Sequence, residues 1–79
     1  QMNYRYMVIV YYKQPDGMYD ESTTFHKRLK TSHLQTATVI LDLKEEKVIR
    51  HRLNPEITFN DALDYYKNAL GDKLTPYLG

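Results

Sequence analysis

Seventy-nine residues make one domain with a thin core, because a chain this short hides only about 60–65% of the surface it exposes when unfolded. The absence of cysteine excludes disulfides and thiolate metal sites, which leaves self-association among the usual reinforcements of small domains. A hydrophobic fraction of 42% beside 27% charged residues excludes disordered and membrane-embedded classes, and a net charge of +1 argues against strong non-specific attraction to duplex nucleic acid.

Residues 2–79 read as a single domain, with Gln1 an addition ahead of a natural start at Met2. No apolar run approaches the roughly 18 residues that span a bilayer. The opening Gln1-Met2-Asn3-Tyr4-Arg5-Tyr6 lacks the layout of a signal peptide, so a cytoplasmic protein without membrane contact is expected.

Tyr4 to Lys13 predicts a strand rich in Tyr, Val and Ile, ended by the turn residues Gln14-Pro15-Asp16-Gly17. Tyr4, Tyr6, Val8, Val10 and Tyr12 alternate with Met7, Ile9 and Tyr11, so both faces are apolar and both need cover. Residues 18–29 read as a returning strand, since Ser22-Thr23-Thr24 is poor helix material, while the spacing of Phe25 and Leu29 leaves partial helix open. Lys30 to Gln35 is a polar connection with room for one helical turn. Thr36 to Leu43 is the clearest strand, placing Ala37, Val39, Leu41 and Leu43 on one face.

Lys44-Glu45-Glu46-Lys47 predicts a tight charged turn. In the following strand, Val48 to Leu53, the period puts Ile49, His51 and Leu53 on the apolar side and Arg50 and Arg52 opposite. Thr58 with Asp61 forms a helix-start signature, and Phe59, Ala62, Leu63, Tyr66 and Leu70 follow as a stripe at helical spacing up to Gly71. Asn54-Pro55 is an alternative start one turn earlier. Leu74, Tyr77 and Leu78 predict a tail pinned to the body. The fold class expected is α+β, an antiparallel four-stranded meander with a single C-terminal helix packed on one face.

One helix covers one face, so the other face of the first strand predicts a docking surface anchored by Tyr6, Val8, Val10 and Tyr12. The leading expectation is a non-enzymatic binding module acting through protein contacts as a homodimer, without cofactor or metal. The alternative is a single-stranded nucleic-acid binder that uses Lys44, Lys47, Arg50 and Arg52 to track phosphates while nearby Tyr rings stack on bases. Four antiparallel strands and one helix, joined at Leu53-Asn54-Pro55-Glu56, resemble the layout of the single-stranded-DNA-binding transcriptional coactivators, which are dimers.

A remote alternative is a metal-dependent nuclease built from Asp16, Asp42 and Lys44, with Glu45-Glu46-Lys47 as a second form of the same pattern. A meander would bring Asp16 and Asp42 to the same end of the sheet. Against it, the Pro-Asp-Gly turn accounts for Asp16 by itself. His26, His33 and His51 lack the spacing of a compact metal site, and no nucleophile turn or Gly-rich phosphate loop is present.

Overall fold

The computed structural model describes residues 4–70, the last three by backbone alone, and these form two hairpins joined by a crossover and followed by a helix. Strand β1 (Tyr6–Lys13) turns into β2 (Tyr19–His26), and the short helix α1 (Thr31–Thr36) leads to β3 (Val39–Asp42). Strand β4 (Lys47–His51) and helix α2 (Phe59–Leu70) follow. All strand pairs are antiparallel, in the order β2-β1-β3-β4. The expected class, four antiparallel strands followed by one C-terminal helix, is what the chain adopts. The segment left open between strand and helix is strand through His26.

Within that class the connection from β2 to β3 passes over β1 and lays β3 on its far side. β1 thereby takes the centre, the place suited to a strand whose two faces are both apolar.

Each hairpin is closed by hydrogen bonds and a left-handed residue within its turn. In the first, Gln14 N–H donates to the Met18 carbonyl at 2.7 Å and Gly17 N–H to the Gln14 carbonyl at 2.9 Å. Gly17 sits at a φ of 90°, in the left-handed region that a three-residue hairpin loop requires. In the second, Asp42 Oδ1 accepts the N–H groups of Lys44 and Glu45, both at 3.0 Å, and Glu46 takes a φ of 56°.

Helix α2 starts where the signature placed it, with Thr58 Oγ1 accepting the Asp61 N–H at 3.2 Å. Asn54 instead begins a turn, its carbonyl accepting the Ile57 N–H at 3.1 Å. The apolar stripe of α2 lays Ala62 and Tyr66 on Met7 and Ile9 of β1 and on Val39 and Leu41 of β3. Gly71 and the tail residues Leu74, Tyr77 and Leu78 lie outside the described residues. Among the described residues no helix is long and apolar enough to cross a membrane.

Strand β4 departs from the expected period. Val48 pairs with Leu41 but Arg50 with Ile40, so Ile49 is an extra residue at a β-bulge. The bulge shifts the phase: Val48 and His51 face the helix, while Ile49 and Leu53 stand exposed. The expected apolar set Ile49, His51 and Leu53 is therefore corrected to Val48 and His51.

Candidate functional site

On the sheet face away from α2, Val8 packs with Ile40 and Ala37, bordered by Tyr6 and Leu29. The crossover that carries β2 to β3 thus supplies the second cover, and Val8 is only 2% exposed. The expectation that nothing in the chain shields this face is not met at Val8. Tyr6 is half-buried and has the Arg5 guanidinium 5.1 Å above its ring. Val10 is half-buried, and Tyr12, 44% exposed, is the anchor candidate left at the surface.

The candidate phosphate-tracking residues divide as well. Arg50 donates through Nη1 to the Leu34 carbonyl, and Arg52 donates to the carbonyls of Ala37 at 3.0 Å and Gln35 at 3.2 Å. Both guanidinium groups therefore clamp the C-terminal end of α1, where helix carbonyls lack intrahelical donors. Lys47 pairs with Glu45 at 2.9 Å, and each holds the other in its charged form, raising the lysine and lowering the carboxylate. Lys44 is exposed on the charged turn.

Asp16 and Asp42 do not converge. Because β1 pairs antiparallel with β3, Asp42 sits opposite Tyr6 at the start of β1, while Asp16 lies in the turn beyond its other end. A strand of this length separates them by roughly 23 Å at about 3.3 Å per residue. Asp16 Oδ1 accepts the Met18 N–H at 2.9 Å. The buried Asp42 is gripped by Arg5, whose Nη2 approaches to 2.8 Å, and that hydrogen bond holds the carboxyl below its ordinary range. His26 and His33, distant in sequence, do meet, with ring centroids 4.1 Å apart. Even so, no group of three or more metal-ligating side chains occurs among the described residues.

The concave surface lies elsewhere, between α2 and the exposed edge strand β4. A recess of about 350 Å³ is lined by Leu53, Asn54, Ile57, Asp61 and Tyr65 over a floor of His51 and Tyr66. It continues along β4 into a shallower trough of about 580 Å³ rimmed by Glu46, Lys47, Arg50 and Arg52. Leu53 is 66% exposed and Tyr65 60% exposed, unusual for large apolar side chains beside a cavity. Tyr65 is braced edge-on against Tyr66, with centroids 4.9 Å apart and planes at 88°.

The floor is polar but saturated. His51 Nδ1 accepts the Asn54 N–H at 3.0 Å, which places the ring proton on Nε2, 3.1 Å from the Tyr66 hydroxyl. The Tyr11 and Tyr66 hydroxyls lie 3.4 Å apart. Burial lowers His51 and raises Tyr66 and Tyr11, so all three are neutral near pH 7. Both imidazole nitrogens are spent inside the chain, and the trio latches α2 to the sheet.

This latch and His26 carry a pH dependence. Burial lowers His26 as well, with the charges of His33 and Lys30 adding to the effect. The unfolded chain binds protons at both histidines from about pH 6.5 downward, whereas the folded chain resists until lower pH. Stability is therefore expected to be complete above pH 6.5 and to fall as the medium becomes more acid. Urea midpoints at pH 7.5 and 5.5 check it, and an unchanged or higher midpoint at pH 5.5 contradicts it.

Set against protein-family models, curated proteins and solved structures, the chain matches none.

Proposed function

We propose that the chain is a non-enzymatic binding module that acts through protein contacts as a homodimer. Its docking groove, between α2 and β4, receives an extended segment of a partner protein. The observation that carries this reading is the pair Leu53 and Tyr65, both mostly exposed and both lining the recess with His51 and Tyr66. An apolar side chain seated there buries surface that otherwise stays in water, at roughly 25 cal/mol per Å². The adjoining edge of β4 offers backbone groups for strand addition, the mode in which main-chain bonds supply affinity and pockets supply specificity.

Charge narrows the occupant. Lys47 is paired with Glu45, but Arg50 and Arg52 outnumber Glu46 along the trough, and among the described residues their carbonyl partners leave their charge uncompensated. The segment that fits is extended, with an apolar anchor flanked by acidic residues. Self-association is supported by the thin core of so short a chain and by the two sheet edges left open among the described residues. A strict monomer by light scattering at hundreds of micromolar would remove that part.

The groove is tested by titrating a ¹⁵N-labelled sample with peptides carrying leucine between glutamates and, separately, between lysines. The acidic peptides should shift amides of residues 47–57 and 61–66, and Leu53→Asp or Tyr65→Ala should weaken binding at least about tenfold. Shifts confined to the face of Tyr12, or binding indifferent to both substitutions, overturn the groove.

A further inference from the structure

We infer that two copies join through the outer edge of β2, antiparallel and centred on Ser22, so that two four-stranded sheets become one of eight strands. The inference rests on the homodimer reading and names its surface.

Among the described residues the sheet has two open edges, and they are not alike. β4 is short and bulged at Ile49, so it offers a single acidic segment a few backbone groups but not the long regular run a second sheet pairs with, and Lys47, Arg50 and Arg52 would meet their own copies there. β2 is eight residues long, runs in unbroken register with β1, and contains neither proline nor lysine. The Gln14 to Met18 bond fixes the phase of the first hairpin, so even-numbered residues of β2 exchange backbone bonds with β1. The backbone groups of Tyr19, Glu21 and Thr23 point to the open side.

Charge says what covers that edge. Acidic residues gather at the start of β2, at Asp16, Asp20 and Glu21, and basic ones at its end, at Lys27, Arg28 and Lys30. Antiparallel pairing with a second copy sets each acidic end beside a basic end, whereas a parallel partner would oppose like charges. Among registers with the required phase, centring on Glu21 places two carboxylates face to face. Centring on Ser22 avoids this, puts Asp16 opposite Arg28 of the second copy, and brings Tyr19, 69% exposed in the single chain, opposite Phe25 of the other. Tyr12 and Val10 lie one strand in from the seam, opposite Asp20 and Ser22.

The test exploits a sequence that has no cysteine of its own. Ser22 is exposed and, at the two-fold axis, would face its own copy as a non-hydrogen-bonded pair with Cα atoms about 4.5 Å apart, within disulfide reach. Ser22→Cys should form a disulfide-linked dimer in a glutathione buffer at least about tenfold faster than Asn60→Cys, an exposed control on α2. Thr23→Pro removes an outward N–H and should convert the dimer to monomer with unchanged far-ultraviolet circular dichroism. A dimer by light scattering whose Ser22→Cys links no faster than Asn60→Cys overturns the β2 edge and leaves the homodimer intact. A wild-type monomer at hundreds of micromolar overturns both.

Discussion

Replacing Tyr66 with alanine is expected to remove about 3–5 kcal/mol of folding stability, the range for deleting a large buried aromatic ring. A domain of this length holds only about 4–12 kcal/mol in total, so the variant should be partly unfolded in buffer at 25 °C. Three separate losses combine. The ring fills the space where α2 meets Met7, Ile9, Val39 and Leu41, it braces Tyr65, and its hydroxyl accepts the His51 Nε2 proton at 3.1 Å. Tyr66→Phe separates packing from the latch. It keeps the ring and leaves a buried imidazole N–H without its acceptor, for an expected cost of about 1–2 kcal/mol. Urea denaturation of the three proteins at pH 7 checks both figures. If Tyr66→Ala stays within about 1 kcal/mol of wild type, α2 is not seated as described.

Some of this could be read from the residues because a single element carried the signal. Helix α2 announces itself through Thr58, Asp61 and a stripe at helical spacing, and all of those belong to one helix. The two-sided apolar pattern of β1 likewise pointed to a strand covered twice. The second cover stayed hidden because it comes from Leu29 and Ala37, two residues flanking a helix that buries none of its own side chains. No period marks so small a patch. Arg50 and Arg52 read as a basic stripe because sequence reports charge and is silent on the carbonyls of α1 that receive them. The groove escaped notice for a related reason: Leu53 and Ile57 belong to a loop and Tyr65 to a helix, so they share no spacing until both have folded. His51 reached the floor through a bulge that alternation alone does not register. The separation of Asp16 from Asp42 follows from one neighbour relation, β1 beside β3, since any pairing that set these strands parallel would have brought the two acids to one end.

Asp42 shows the same relation as a stabilising contact, and its removal is the second large effect expected. The carboxylate receives Arg5 Nε at 3.1 Å and Nη2 at 2.8 Å, and also the N–H groups of Lys44 and Glu45 that shape the turn into β4. Asp42→Ala deletes all of these at a buried position and leaves two turn donors unanswered, for an expected cost of about 2–3 kcal/mol at pH 7. Asp42→Asn retains an oxygen for the turn but loses the charge opposite Arg5 and the Oδ2 acceptor of Arg5 Nη2, so it should cost less than the alanine variant. Acid separates the two contributions further. Because Arg5 holds the folded carboxyl below its ordinary value of 3.8, the stabilisation from ionisation is complete above that pH and fades as pH falls through the folded value. The gap between wild type and Asp42→Asn should therefore narrow in denaturation midpoints taken from pH 7 to pH 3, while the gap between Asp42→Asn and Asp42→Ala persists. A gap between wild type and Asp42→Asn that stays constant over that range would mean that the Arg5 contact contributes shape to the sheet end and no electrostatic stabilisation.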